Sequence, residues 1–292
     1  MSLLENYLAE IQRSRSSTLE ELLEGYLCRF VYNNSNLVVE GQNPEILSRV
    51  VGPLSPSGIF SQFLGPLKGG YCYQISELQY FVLTELGFKV TRHASITLKT
   101  LSSLVDHSSV LSRPVVHELL IVREEGNSDL NLIDVAFGSN LLRAPLRFSI
   151  DEPLGTEHCL LDEKYRILPL NGTTNWKILE IQFRNQWTAL HAFCLDEASL
   201  QDCEAYHEDL YRNPNLIPIR DLHLFISKSD SVTGRKWIHM IRGEKSATLR
   251  WIQGGEVIQR ISLNWEETCK TALTEFGAVV PEALRLMFNE SD

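Results

Sequence analysis

The spacing of hydrophobic positions changes character twice along the chain. At first, apolar residues recur at helical intervals. Leu3, Leu4, Tyr7, Leu8 and Ile11 share one face, and Leu19, Leu22, Leu23 and Leu27 form a second stripe. Ser17 and Thr18 precede that second stripe, with Glu20 and Glu21 in its first turn, the pattern of a capped helix start. The Pro/Gly/Ser-rich stretch GPLSPSGIFSQFLGPLKGG (52–70) reads as loop. After Gly69-Gly70 the spacing predicts a helix over 72–86, with Ile75, Leu78, Phe81, Val82 and Leu86 inward and Gly87 as its left-handed stop.

Beyond residue 89 the period becomes two. KVTRHASITL, PVVHELLIV, NLIDVAF, KYRILPL and KILEIQF predict short strands in succession, hence a small antiparallel barrel or sandwich. From Asp196 the pattern is mixed. SLQDCEAYHEDLYRN and WEETCKTALTEFG are helical, the latter closed by Gly277, while LHLFIS, KWIHMIR, ATLRWI and EVIQRIS alternate as strands. The class is therefore α+β in three parts: a helical unit over 1–90, a β-barrel over 91–195 and a mixed α/β unit over 196–292.

Composition narrows the function classes. The 292 residues are 43% hydrophobic, too apolar for disorder and long enough to bury a core without staples. With 27 basic against 37 acidic side chains the net charge is −10, which argues against a nucleic-acid partner, because counterion release needs a basic face. No apolar run approaches the roughly 18–20 residues of a membrane span. MSLLENYLAEIQ carries glutamates inside its apolar run, unlike a signal peptide. The expectation is a soluble, cytoplasmic protein with no membrane partner. Cys28, Cys72, Cys159, Cys194, Cys203 and Cys269 lie far apart, with no C-x2-C pair and no zinc spacing, and His158-Cys159 has no second pair. No metal is expected, and most of these cysteines read as reduced core residues.

Cys72 differs. It follows two glycines that let the backbone pass close to a neighbour, and it stands at a predicted helix start, whose unpaired N–H groups favour a thiolate. The competing reading is a glycine turn before a buried cysteine. His117 and Asp134 bear on the choice. Val115, His117, Leu119 and Ile121 share a strand face, as do Leu130, Leu132, Asp134 and Ala136 in the next strand. A hairpin tip at Glu125-Gly126 sets His117 opposite Asp134; a tip at Asn127-Ser128 sets it opposite Gly138 and leaves both on one face. A histidine oriented by a carboxylate takes a proton from a thiol. A His–Asp pair that only braces the hairpin remains the alternative.

These residues also carry a resemblance. KGGYCYQISELQYFVLTELGFKV resembles the nucleophile segment of the arylamine N-acetyltransferases, PVVHELLIV their histidine strand, and IDVAFGSNLLRAPLRF the strand with the triad aspartate and its trailing phenylalanine and glycine. VYNNSNL is similar to a degenerate Pro-Phe-Glu-Asn segment, and the likeness continues weakly through WTALHAFCLDEASLQDCEAYHEDLYRNP. The resemblance implies a three-part cysteine-acyltransferase fold: N-terminal helical bundle, central antiparallel β-barrel and C-terminal α/β lid. It implies an acyltransferase of xenobiotic metabolism working by ping-pong, with Cys72 as nucleophile, His117 as base and Asp134 as orienter. The acyl donor is then acetyl-CoA, a co-substrate, and the acceptor an arylamine, hydrazine or N-hydroxyarylamine. Phe137, Tyr71 and Tyr73 fall at substrate-binding places and Gly138 at the CoA, although core packing accounts equally well for the aromatics.

Four departures stand out: Lys68, Asn33, Ser76 and Ala136 replace a usual arginine, glutamate, asparagine and glycine. Lysine cannot reproduce an arginine fork, so the junction of residues 33 and 68 is expected to be looser, and Ala136 to narrow the amine pocket. Extra residues in the 43–66 region are expected to reshape the mouth of the site. Three other readings stay open: the same fold with another donor such as malonyl-CoA, or as an amide synthase; a Cys-His-Asp hydrolase; and a degenerate, non-catalytic binding module. Basic residues that would meet the CoA phosphates, such as Arg143 or Lys236, read no differently in the sequence from solvated surface charges.

Overall fold

The computed structural model describes the chain except residues 36, 38–53, 124–128, 214–215, 217–222, 231–233, 242–243, 254–255 and 288–292. The N-terminal stripes form α1 (Leu3–Glu10) and α2 (Leu19–Arg29). Thr18 opens α2 through a reciprocal capping box with Glu21, which satisfies two otherwise orphan N–H groups. After β1 (Val31–Asn33) the stretch expected to be loop contains α3 (Pro56–Leu64). Composition misled there. Pro56 sits in the first helical turn, where its missing N–H costs nothing, and Ile59, Phe60 and Phe63 bury one apolar face. Residues 43–53 of the expected insertion lie outside the described residues.

Strand β2 (Gly69–Gly70) leads directly into α4 (Cys72–Glu85). The turn after α4 uses Gly87 at φ +90°, with the Phe88 N–H returning 3.0 Å to the Leu83 carbonyl. Residues 71–79 are all buried, so the first two turns of α4 are enclosed on every side.

An eight-stranded antiparallel sheet follows: β3 (Lys89–Leu101), β4 (His117–Arg123), β5 (Leu130–Ile133), β6 (Leu146–Phe148), β7 (Glu157–Leu160), β8 (Glu163–Pro169), β9 (Trp176–Phe183) and β10 (Gln186–Cys194). Its order is β6-β5-β4-β3-β10-β9-β8-β7, and the outer strands β6 and β7 touch, so the barrel is nearly closed. Strands β6, β7 and β10 go beyond those read from alternation. In β10 residues 189–193 are buried on both faces, which erases the period of two.

The expected strand NLIDVAF is shorter than its pattern. Pairing stops at Ile133, and the chain turns at Asp134, whose carbonyl accepts the Leu142 N–H at 2.7 Å. Strands β4 and β5 pair Leu120 with Ile133 and Arg123 with Leu130. Continued, this register sets Ala136 opposite His117, between the two expected alternatives. Because the offset is two residues, His117 and Asp134 keep a common face. Both expected hairpin tips lie outside the described residues.

The last part contains α5 (Leu200–Arg212), β11 (His223–Asp230), β12 (Gly234–Ile241), β13 (Ala247–Gln253), β14 (Glu256–Leu263) and α6 (Trp265–Phe276), with Gly277 at φ +67° closing α6. Its sheet, β14-β13-β12-β11-β1-β2, borrows two strands from the N-terminal part. Strand β1 runs antiparallel to β11 and parallel to β2. A buried ion network joins this sheet to the barrel: Arg235 binds both oxygens of Glu163, at 2.6 Å each, and Arg143 approaches the same carboxylate at 3.3 Å. No helix among the described residues is long and apolar enough to cross a membrane.

Candidate active site

Cys72 owes its position to the glycines before it. A Cβ on Gly69 would collide with the Val31 carbonyl, so glycine alone permits the close parallel pairing of β1 and β2. Cys72 then opens α4 with Tyr71 as the N-cap residue. Ser76, one turn on, donates to the Glu118 carbonyl at 3.0 Å and ties α4 to β4 beside His117. The Cys72 thiol lies 3.8 Å from the Val116 carbonyl and also meets the His117 ring.

His117 Nε2 is shared between both oxygens of Asp134, each 3.0 Å away, which leaves Nδ1 for the sulfur. Burial disfavours the charged ring, yet the adjoining Asp134 carboxylate and Cys72 raise its pKa to about 10. Asp134 is likewise buried, but His117, His191 and the Ala136 N–H at 3.3 Å hold its carboxyl below the usual range. The assembled unit is an imidazolium between a carboxylate and the Cys72 sulfur. It can present a negative sulfur to an electrophile and return a proton to a leaving group.

His191 on β10 completes the corner, and sequence reasoning passed over it. It is wholly buried, with Nδ1 3.6 Å from Asp134 Oδ2 and no hydrogen-bond partner for either ring nitrogen among the described residues. Burial pushes its pKa down to about 3, opposed by Asp134 and reinforced by His117 and Lys99. An ionisable residue within an apolar strand needs a partner, and WTALHAFC carries such a residue just as PVVHELLIV does. That strand is buried on both faces and lacks alternation, so no spacing sets His191 against a partner. His117, Asp134 and His191 lie close enough together to ligate an ion, as do Glu77, Glu118 and Cys203. In the first set both Asp134 oxygens already serve His117; in the second, Arg92 neutralises Glu77.

The expected substrate residues divide. Phe137 is in the corner, its ring centroid 4.8 Å from those of both His117 and His191. Tyr71 and Tyr73 are fully buried against α5: the Tyr71 hydroxyl meets His207 Nε2 at 2.6 Å, and the Tyr73 ring lies 5.2 Å from the same imidazole. Gly138 takes φ +56°, and its carbonyl accepts from Ser227 Oγ at 2.8 Å, joining the triad loop to β11. Tyr32 lies beneath Gly138, within electrostatic reach of Cys72 and Asp134. Arg143 is committed to Asp162 and Glu163, and Lys236 to Glu275.

Among the departures, Lys68 and Asn33 do not meet. The Lys68 amine reaches the Leu64 carbonyl, while Asn33 donates to the Leu67 carbonyl at 3.0 Å and accepts from the Ser35 N–H at 3.0 Å. Backbone bonds therefore occupy the place of the side-chain pair that the resemblance implies.

A cysteine opening a helix, facing a histidine–aspartate pair on an antiparallel barrel and covered by an α/β layer, defines a class of Cys-His-Asp proteins. Within it the chain belongs to the arylamine N-acetyltransferase family: a family model described as N-acetyltransferase matches residues 17–265. The curated arylamine N-acetyltransferase of Mycolicibacterium smegmatis is 29% identical over 172 residues, 59% of this chain and 58% of that protein. The chain thus spans under two thirds of that relative's length. A solved structure of the M. smegmatis enzyme superposes with a TM-score of 0.76 at 20% identity, covering 99% of this chain and 98% of that one. The structure of Mycobacterium marinum arylamine N-acetyltransferase in complex with CoA gives 0.74 at 22% identity, with 97% of each chain covered.

Proposed function

We propose that the chain transfers an acetyl group from acetyl-CoA to an arylamine, hydrazine or N-hydroxyarylamine through a Cys72 thioester. The observation that carries this reading is the contiguous line from the Cys72 thiol through His117 to both oxygens of Asp134. Membership of the family, and the CoA complex of the M. marinum relative, support the donor.

In the first half-reaction the sulfur of Cys72 attacks the thioester carbonyl. The bond from that carbon to the CoA sulfur breaks, and CoA leaves as a thiol with a proton from His117. In the second, the acceptor nitrogen attacks the acyl carbon of Cys72 and passes a proton to His117. The carbon–sulfur bond breaks, leaving the amide and a thiolate beside a protonated imidazole. Asp134 holds one tautomer throughout and stabilises each imidazolium. Phe137, flush against His117, offers a flat face for the acceptor ring.

Intact mass after mixing with acetyl-CoA in the absence of amine tests this. One acetyl adduct is expected, absent in Cys72→Ala and discharged by added arylamine faster than by water. No adduct, or an adduct on Cys72→Ala, overturns the reading. Discharge to water as fast as to amine favours a hydrolase instead.

A further inference from the structure

Beside the triad, β3 carries one residue more than its partner β10. Thr97 pairs with His191 and Thr100 with Ala189, so Leu98 and Lys99 together face Leu190. A bulge of this kind re-aims a side chain, and Lys99 adopts the left-handed φ of +48°. Lysine gains nothing from that conformation; such an outlier next to a nucleophile points to a use for the side chain.

The Lys99 ammonium lies 4.8 Å from the Phe137 ring centroid and 5.3 Å from that of Phe225, so it bridges the triad loop and the lid sheet. The residue is exposed, yet it sits deep enough that the surrounding protein lowers its pKa, opposed by Cys72 and Asp134. Its charge is also felt by His191, His223 and His239. His223 and His239 bond each other at 2.9 Å, and Phe225 stacks on His239 at 4.3 Å. Of the acids in this neighbourhood, Asp134 is already held by His117. Among the described residues no carboxylate lies within ion-pair distance of Lys99. A cation held over two aromatic faces in an otherwise acidic chain is therefore free to meet an anion from outside.

The source of that anion follows from where the cation sits. The pantetheine arm of CoA holds the phosphates well away from its sulfur, whereas Lys99 is within electrostatic reach of Cys72 itself. The matching group belongs to the reacting end. Resting on the acyl-transfer reading above, we infer that Lys99 is a specificity-determining residue that receives a carboxylate carried by a reacting partner. That carboxylate is either on the ring of an acidic aromatic amine laid against Phe137 or at the far end of a dicarboxylic acyl group on Cys72. A charge-assisted bond in this setting corresponds to roughly tenfold or more in kcat/KM.

Two matched pairs distinguish the sources. The acceptor pair is 4-aminobenzoate against 4-aminobenzamide, with acetyl-CoA as donor. The donor pair is malonyl-CoA against acetyl-CoA, with 4-aminobenzamide as acceptor. Rates are taken per Cys72 site that intact mass shows to be acylated, which discounts misfolded chains. The expected result is that in one pair the charged-to-neutral ratio of kcat/KM falls at least ~10-fold in Lys99→Met and returns in Lys99→Arg. The pair that moves names the source. Ratios within about twofold of wild type in both pairs overturn the inference. A wild-type chain that neither donor acylates overturns the acyl-transfer reading, and this inference falls with it.

Discussion

His117 and Glu118 are neighbours on β4 that point to opposite sides of the strand, and each faces a buried cysteine. On one side Cys72 meets His117, whose charge is stabilised by Asp134. On the other, Cys203 meets Glu118, in a cluster where Arg92 is committed to Glu77, with Arg92 Nη2 2.9 Å from its Oε2. Glu118 is fully buried; burial first and then Glu77 raise its pKa to about 8, and Cys203 lowers it only in part. Burial, followed by Glu118, pushes the Cys203 thiol far up. Two cysteines in similar burial thus differ in the kind of their nearest ionisable neighbour, a charged imidazole beside one and a carboxyl beside the other. A cation makes the sulfur available as a nucleophile, and a carboxyl keeps it a thiol.

The largest expected break in this contrast comes from Asp134→Asn. The amide presents an N–H where Nε2–H now donates, so the ring loses its held tautomer and its stabilised charge. Acyl transfer measured by release of free CoA should fall on the order of 10³-fold, with the fold intact by circular dichroism. A loss under about tenfold would mean that Asp134 only braces the hairpin.

Alkylation sharpens the comparison next. With iodoacetamide near neutral pH and peptide mapping, Cys72 should react about 100-fold faster than Cys203. His117→Gln should slow Cys72 by roughly tenfold and leave Cys203 unchanged. If both cysteines respond alike, access rather than charge separates them.

The smallest expected effect is in stability. Glu118 carries a folded-state pKa raised from 4.5 to about 8, so the folded chain binds an extra proton between those values. Its contribution to stability is complete below about pH 4.5 and is lost as pH rises through about 8. Glu118→Gln removes that titration. Thermal melts of the parent should fall relative to the variant by roughly 5 °C between about pH 5 and pH 9. Parallel curves would show that Glu118 is not buried as a neutral acid.

Much of the fold is legible in the chain. The capping box of α2, the glycine stop after α4 and the alternating strands of the last sheet are local signals, set within a few residues. The failures share a cause in burial. Apolar residues within a proline- and glycine-rich stretch became α3 because Ile59, Phe60 and Phe63 found a core. Strand β10 is covered on both faces and so has no alternation to read. His191 is hidden with it, and Lys99 is turned toward the site by a one-residue bulge that no spacing rule foretells.

From sequence alone, Cys72 stands at a helix start behind two glycines, and His117 and Asp134 are chemically suited to each other. Those are consequences of residue type and short-range periodicity. Only the tertiary structure brings α4 against β4, ends β5 at Ile133 so that Asp134 reaches His117, and turns Lys99 over Phe137. These contacts depend on register, bulges and the packing of segments far apart in the chain, and it is the assembled charges, not the residues one by one, that separate Cys72 from Cys203.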